Sequence, residues 1–218
     1  MLVERSMHPG YLSNAYLIAD DEGGAAAYVD SGAPLEPLRD AAARWRVEPL
    51  FVLRTHSHHD HVEHEAELGL PVRTESVELG ALRVEAIPTP GHSDDMVAFL
   101  VDGNVVFTGD TLFKDSVGGG DLDQVRRSVM DVLLALPDDV RVLPGHTDET
   151  TIGREWERNP FVRVWRGVEP EGSERVRVGG KDATLVVWSP DYDGKGKAWV
   201  RFADGTDAIV GGSRVERR

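Results

Sequence analysis

Six consecutive residues, His56-Ser57-His58-His59-Asp60-His61, hold five side chains that could bind a divalent metal ion. They follow an apolar run, residues 49–53, that reads as a strand. Imidazole and carboxylate are the ligands of borderline divalent metals where no thiolate is available, and the chain contains no Cys. On a short loop after a strand, His56 and His58 can point to one ion while Asp60 and His61 point to another. A solvated His-rich surface loop is the alternative interpretation.

Three further candidate ligands share one local pattern. Each comes directly after a glycine that ends an apolar run: His92 after Gly91, Asp110 after Gly109 and His146 after Gly145. Glycine lets the backbone turn sharply at the end of a strand. In open α/β folds the sites lie at the carboxyl ends of the strands. We therefore expect these side chains to converge with the cluster at residues 56–61.

The motifs around these positions resemble those of a known family. They are Thr-His-x-His-x-Asp-His, Pro-Gly-His-Ser, Thr-Gly-Asp-Thr-Leu-Phe and Pro-Gly-His-Thr. Over roughly residues 10–165 the chain resembles the metallo-β-lactamase-fold hydrolase superfamily. Within it, the motifs at 109–113, 150–153 and 159–161 are most similar to the glyoxalase II-like branch. The resemblance implies an α/β fold, a four-layer α/β/β/α sandwich with a dinuclear site at one edge.

The resemblance also implies a division of the ligands between two ions. One ion would be bound by His56, His58 and His92, the second by Asp60, His61 and His146, and Asp110 would bridge them. Zinc is the first expectation for both ions, with iron and manganese as alternatives. Asp60 and Asp110 are the predicted catalytic residues, because Asp60 could also accept the proton of the attacking water.

A site of this composition predicts a metal-dependent hydrolase. Two adjacent divalent ions lower the pKa of a shared water, so a metal-bridging hydroxide can act as the nucleophile without Ser or Cys. The ions also stabilise the developing oxyanion. The expected substrate is a thioester or related acyl compound, as in hydroxyacylglutathione hydrolases. Glutathione itself is disfavoured, because residues 114–120 offer glycines where glyoxalase II carries a basic and an aromatic contact.

Two other functions stay open at this point. Iron-dependent persulfide dioxygenases share the scaffold but use one ion with two His and one Asp. The other alternative is a metal-stabilised binding protein without catalysis. Structural zinc sites favour closed shells rich in Cys, so the ligand set predicted here argues against that alternative.

Several residues near the predicted site have an ordinary alternative role. Asp30 could orient a ligand histidine or simply cap the turn at Asp30-Ser31-Gly32. His59 is expected to point outward and His64 to be solvated. The aromatic residues Trp188, Tyr192 and Trp199 could form a binding face, although packing into a small core is the preferred interpretation.

Periodicity predicts the elements that position these residues. Strands are expected at residues 12–19, 25–29, 97–101, 105–107 and 140–143, and helices at 34–46, 121–136 and 151–158. Residues 1–167 are predicted to form the catalytic domain. Four β-like runs follow a polar linker, which predicts a small β-barrel-like or meander domain over 175–218. A unit this small cannot bury its own apolar face, so we expect it to dock on the catalytic domain.

The composition limits the kinds of partner that the protein is expected to bind. The chain has 218 residues, 24 basic and 38 acidic side chains and a net charge of −14. Because nucleic-acid affinity comes largely from cationic side chains at phosphates, no nucleic-acid partner is expected. No run is long enough to cross a bilayer, and residues 1–19 lack the pattern of a signal peptide. We expect a cytoplasmic enzyme with a small-molecule substrate and no membrane partner; its oligomeric state is left open.

Overall fold

A first sheet of five strands lies at the amino-terminal side of the structure, a computed structural model that describes residues 1–217. Its strands are β1 (Leu2–Met7), β2 (Asn14–Ala19), β3 (Ala25–Val29), β4 (Glu48–Leu53) and β5 (Val72–Arg73), in that spatial order. The first three pair in antiparallel fashion, and β3, β4 and β5 are parallel. The carboxyl end of β4 leads directly into the histidine cluster.

A second sheet faces the first, and three of its strands end at the edge of the sandwich where the histidine cluster lies. Its strands are β6 (Val77–Leu79), β7 (Leu82–Pro88), β8 (Val97–Val101), β9 (Val105–Gly109), β12 (Arg141–Pro144) and β13 (Thr150–Thr151). Between β9 and β12 the chain forms a separate two-stranded ribbon of β10 (Leu112–Phe113) and β11 (Ser116–Val117). The spatial order is β13-β12-β9-β8-β7-β6. Strands β9 and β12 are parallel, with Gly109 opposite Pro144. Asp110 and His146 therefore leave the sheet side by side.

The two sheets pack face to face through one apolar core. Tyr16 and Ile18 of β2 belong to the same buried cluster as Phe99 of β8 and Phe107 of β9. Side chains alternate between the two faces of a strand, so each sheet presents a second apolar face outward. That second face must be covered by other elements.

Helices cover the outer faces of both sheets. They are α1 (Glu36–Trp45), α2 (His59–Val62), α3 (Glu65–Leu68), α4 (Leu122–Arg127), α5 (Ile152–Arg158) and α6 (Pro160–Trp165). Leu38 and Ala41 of α1 pack on the first sheet, and Val125 of α4 and Phe161 of α6 pack on the second. The layers are therefore α/β/β/α, which confirms the predicted fold class. Among the described residues, no helix combines the length and the apolar character that a bilayer crossing requires.

The segment predicted as a helix over residues 121–136 is a regular α-helix only in its first part. After α4 the chain continues as a π-helical turn at Ser128–Val132 and a 3-10 turn at Leu133–Ala135. The hydroxyl of Ser128 donates to the Pro90 carbonyl at 2.7 Å, beside the loop that carries His92. Apolar side chains keep facing the core through this change, so their spacing could not reveal it.

The carboxyl-terminal residues form a third, antiparallel sheet. Its strands are β14 (Glu174–Val178), β15 (Lys181–Ser189), β16 (Lys197–Phe202), β17 (Asp207–Gly211) and β18 (Val215–Arg217). The first four form a meander, and β18 returns to pair with β14. One face has its own apolar cluster, which includes Val176 and Val200. On the other face, Trp199 and Ile209 join the core that contains Phe161, as expected for a docked unit. The division into domains at 167 and 175 stays a prediction.

Candidate metal centre

The seven predicted ligands lie together at one edge of the sandwich. His56 and His58 follow β4, Asp60 and His61 lie in α2, and His92, Asp110 and His146 follow β7, β9 and β12. Their side-chain atoms form three overlapping groups, each with all ligand atoms within 4.8 Å of one another. Their role as ligands stays a prediction, and the geometry of each group bears on it.

Three histidines form the first group. The Nδ1 atom of His58 lies 3.1 Å from Nε2 of His56 and 2.8 Å from Nε2 of His92. Three imidazole nitrogens therefore face one point. His56 is buried, whereas His58 is exposed, so this group is open to solvent on one side.

Asp60, His61 and His146 form the second group. The Oδ2 atom of Asp60 lies 3.5 Å from Nε2 of His146 and 3.8 Å from Nε2 of His61. Both histidines are buried, and Asp60 is partly exposed. The carboxylate is thus the member of this group that solvent reaches most readily.

Asp110 forms the third group with His56 and His61 and lies between the other two. Its Oδ2 atom is 3.5 Å from Nε2 of His92 and 3.4 Å from Nε2 of His146, and its Oδ1 atom is 3.3 Å from Nε2 of His61. The carboxylate therefore faces one histidine of the first group and two of the second. This is the position that a bridging ligand must occupy.

Asp30 orients two of the histidines. Its Oδ2 atom lies 2.9 Å from Nδ1 of His61 and accepts a hydrogen bond from the Thr55 hydroxyl at 2.8 Å. The same hydroxyl lies 3.0 Å from Nδ1 of His56. Asp30 is buried and adopts a left-handed conformation with φ 56°. Of the two roles open for Asp30 in the sequence, the structure favours orientation of a ligand histidine.

Backbone carbonyls orient two other histidines. His92 Nδ1 lies 2.8 Å from the carbonyl oxygen of Gly119, and His146 Nδ1 lies 2.9 Å from that of Leu12. A carbonyl only accepts, so each Nδ1 donates its proton to it, and each Nε2 is the nitrogen left to bind a metal ion at the centre of the cluster.

Three buried polar atoms at the centre of the cluster lack a hydrogen-bond partner. Nε2 of His61, Nε2 of His146 and Oδ1 of Asp110 are buried and have no hydrogen-bond partner. Buried polar atoms are rarely left unpaired without a reason. Nitrogen and carboxylate donors aimed at two adjacent points fit a pair of divalent ions, so the donor set suits the predicted metals.

The electrostatics of the cluster favour positive charge at its centre. Burial lowers the pKa of His56 to about 4, against the attraction of Asp110, which keeps that imidazole neutral. Burial would also lower the pKa of His146, but Asp110 and Asp60 raise it to about 9. Burial alone would raise the pKa of Asp110; the neighbouring His146 and His61 instead hold it well below its usual range. The carboxylates thus stabilise cations at the point where the ligand lone pairs converge.

A buried glutamate holds the loop that supports His92. Glu155 is fully buried, and its two oxygens accept from Thr150 Oγ1, Arg154 Nη1, the Asp115 amide and Asn159 Nδ2. Asn159 Nδ2 also donates to the Ser116 carbonyl. This network fixes residues 115–116 and thereby the start of the loop that carries Gly119.

The remaining histidines lie outside the cluster. His59 is exposed and meets the ring of Tyr11 edge-on, and His64 Nδ1 lies 3.3 Å from a Glu67 oxygen. His8 accepts hydrogen bonds from the amides of Gly10 and Tyr11 through Nδ1. It shapes the turn that leads to Leu12.

Two aromatic residues of the carboxyl-terminal segment depart from the expected core packing. Trp199 is buried in the core shared with α6, and Trp188 is 39% exposed. The ring of Tyr192 stacks on His146 with centroids 3.8 Å apart and planes 10° apart. The prediction that Trp188 and Tyr192 pack into a core of the tail was wrong, because Trp188 is exposed and the loop of Tyr192 reaches over to the metal centre.

Comparison with known proteins assigns the family. Residues 68–146 match the model of the metallo-beta-lactamase superfamily. An uncharacterized protein of Mycobacterium tuberculosis is 32% identical over 206 residues, covering 68% of this chain and 92% of that protein. The chain belongs to the metallo-β-lactamase superfamily. A second superfamily relative, the hydroxyacylglutathione hydrolase GloC of Haemophilus influenzae, is 28% identical and covers 70% of this chain and 93% of that protein.

Solved structures of the superfamily show the same fold. The structure of ETHE1 from Myxococcus xanthus matches with a TM-score of 0.64 and 26% identity, covering 78% of this chain and 92% of that one. The protein TTHA1623 in a di-iron-bound form matches with a TM-score of 0.60 and 32% identity, covering 72% and 98%. That second structure holds two metal ions, the number predicted here.

Sequence reasoning missed three groups at this site and preferred the wrong interpretation of a fourth, Tyr192. Thr55 directly precedes His56, so its position beside the cluster could have suggested a supporting role. Leu12 and Gly119 act through backbone carbonyls, which every residue has. Tyr192 lies far along the chain in a loop with no recognisable pattern. Only the fold brings these last three to the centre.

Proposed function

We propose that this protein is a dinuclear metal-dependent hydrolase that cleaves a thioester or a related acyl compound. The position of Asp110 between two ligand groups carries the proposal, together with the unpaired nitrogens of His61 and His146. A site for one ion would use only one of these groups and would not account for the converging ligand atoms of the other. The similarity to a hydroxyacylglutathione hydrolase supports the reaction class.

The residues of the site divide the chemistry between them. Two bound divalent ions would lower the pKa of a coordinated water and polarise the scissile carbonyl. Asp60, the more exposed of the two carboxylates, is placed to accept the proton of the attacking water. Water adds to the carbonyl carbon, the carbon–sulfur bond breaks, and a carboxylic acid and a thiol are released. Asp30 keeps His61 in the orientation and tautomer that this arrangement needs.

The experiment combines a metal count with a thiol assay. Purified protein is analysed for zinc, iron and manganese, and a panel of acyl thioesters, lactones and phosphodiesters is screened. Because the chain has no Cys, released thiol can be titrated without any background from the protein. We expect two ions per chain and hydrolysis of at least one thioester. A protein with two ions that releases no thiol from any thioester contradicts the substrate class.

Chelation tests metal dependence. Removal of the ions should abolish hydrolysis, and added zinc or manganese should restore it. Full activity of verified metal-free protein contradicts the proposal. One iron per chain with oxygen uptake on a persulfide would instead favour the dioxygenase alternative.

A further inference from the structure

The carboxyl-terminal sheet reaches the metal centre through one loop. Between β15 and β16, Tyr192 lies flat on His146 and meets the edge of Phe113 at a centroid distance of 6.0 Å. His146 is one of the proposed ligands of the second ion. A residue from the appended sheet therefore forms a wall of the site.

The loop that carries Tyr192 is held in place on both sides. Lys197 Nζ lies 3.0 Å from Asp191 Oδ2, and both side chains of this pair are buried. At the start of the loop, the hydroxyls of Ser189 and Ser116 are 3.0 Å apart. Buried, paired polar groups of this kind fix geometry. The loop that presents Tyr192 is thus anchored by polar contacts at both ends.

A cavity of about 350 Å³ adjoins the stacked pair. Its lining includes Tyr192 and Pro190 from the loop, Met7 and Leu12 from the amino-terminal segment, and Thr147, the residue after His146. Leu12 is also the residue whose carbonyl holds His146. Tyr192 therefore lines this cavity and also contacts His146 of the second ligand group.

The charges around this cavity disfavour an anionic ligand. Its lining contains one ammonium group, that of Lys114, and three carboxylates, those of Asp115, Asp148 and Asp191. Lys114 itself lies 4.0 Å from Asp148. Asp115 and Asp191 already pair with Arg154 and Lys197, and Asp148 also pairs with Arg5. A thiol carrier that bears two carboxylates would therefore find no unpaired cation in this lining.

We propose that Tyr192 and this cavity form the subsite for an uncharged, apolar arm of the substrate. The inference rests on the proposed function, because it names the part of a thioester that extends from the metal centre. Tyr192 determines specificity by covering that arm with the edge and free face of its ring, while its other face stays on His146. The substrate class is then a thioester with an apolar chain on a thiol carrier without carboxylates.

Binding of uncleavable analogues tests the subsite independently of hydrolysis. The probes are S-alkyl thioethers of N-acetylcysteamine with chains of one to eight carbons, titrated calorimetrically into the zinc-loaded full-length protein. Each methylene that enters the cavity should tighten binding by about three- to fourfold until the cavity is filled. S-octylglutathione, which carries two carboxylates, should bind more weakly than the neutral octyl analogue.

Variants assign the effect to the cavity. Tyr192→Ala should weaken binding of the octyl analogue by at least about tenfold and binding of the methyl analogue by less than about twofold. Tyr192→Phe should bind both analogues like the wild type, because the ring makes the contact. Met7→Asp, at an exposed position, should also weaken only long chains. Trp188→Ala, on the same sheet but outside the cavity lining, is the matched control and should bind like the wild type.

The outcomes separate this inference from the proposed function. A dependence on chain length that Tyr192→Ala and Met7→Asp abolish supports the subsite, even if no thioester is cleaved and the proposed function fails. Absence of that dependence, or its persistence in Tyr192→Ala, overturns the subsite even where thioesters are hydrolysed. Tighter binding of S-octylglutathione than of the neutral analogue overturns the assignment of an uncharged carrier.

Discussion

Asp110 is the residue on which the two ligand groups depend together. Its carboxylate faces His92 on one side and His61 and His146 on the other, at 3.3–3.5 Å. No other described carboxylate in the cluster contacts both groups. Its removal should therefore affect both ions at once.

We expect Asp110→Ala to lose metal at both positions and to reduce the hydrolysis rate by at least about 100-fold. The control is His59→Ala, because His59 is exposed and lies outside the three ligand groups. That variant should keep two ions and wild-type activity. Equal metal contents in the two variants, measured by elemental analysis, would show that the ligand assignment is wrong.

Asp30 allows a test of orientation without loss of a ligand. Asp30→Asn keeps a residue that tolerates the left-handed backbone but weakens the acceptor for His61 and Thr55, so affinity for the second ion should fall about 10- to 100-fold. Asp102→Asn is the matched control, since Asp102 also has a positive φ, 49°, in a surface hairpin. Competition with a chromophoric chelator measures both variants. Unchanged affinity of Asp30→Asn for the second ion would show that Asp30 only caps the turn.

At the scale of elements, loops and helices approach so closely that some backbone positions admit only glycine. Gly91, directly before His92, has φ 137°, and a Cβ there would lie 2.5 Å from the Val125 amide nitrogen. The first turn of α4 thus packs on the backbone of the His92 loop. The nearby Ser128 hydroxyl, bonded to the Pro90 carbonyl, holds the same loop from the π-helical turn.

Gly91→Ala should therefore destabilise the protein by about 3 kcal/mol or more and lower its metal content, because the loop must move to relieve the contact. Gly103→Ala serves as the control: Gly103 also has a positive φ, 69°, but a Cβ there would meet nothing within 4 Å. We expect that change to cost roughly 1–2 kcal/mol and to leave metal content unchanged. Denaturant unfolding and elemental analysis provide the measurements. Similar results for the two variants would mean that the helix does not position the loop.

At the scale of the whole molecule, the carboxyl-terminal sheet shares an apolar core with the α/β/β/α sandwich. Trp199 and Ile209 share a buried cluster with Phe161 and Trp165 of α6. Loss of the sheet would expose that surface and remove Tyr192 from the metal centre.

A protein that ends at Gly167 should still bind two ions, because all seven proposed ligands precede that residue. It should be less soluble, unfold at a temperature lower by about 5 °C or more, and differ in substrate preference. Thermal unfolding, elemental analysis and the thioester panel test these outcomes together. Wild-type stability and kinetics on every substrate would instead show that the sheet is an independent module.

The sequence by itself determined the fold class and the residues that could bind metal. Ligand chemistry resides in side-chain types, and the glycines at Gly91, Gly109 and Gly145 mark turns at strand ends, so both can be recognised from the order of residues alone. Apolar periodicity likewise predicted the strands, and the small size of the tail predicted that it docks on the rest of the chain.

Only the tertiary structure decided what supports those side chains. The carbonyls of Leu12 and Gly119 orient His146 and His92, but a carbonyl belongs to every residue and leaves no mark in the sequence. Tyr192 reaches His146 because the third sheet packs against α6 and α4, a contact between segments far apart in the chain. The π-helical turn preserves the apolar spacing of a regular helix. Side-chain chemistry and period are local properties of a sequence, whereas backbone acceptors and long-range contacts exist only once the layers have packed.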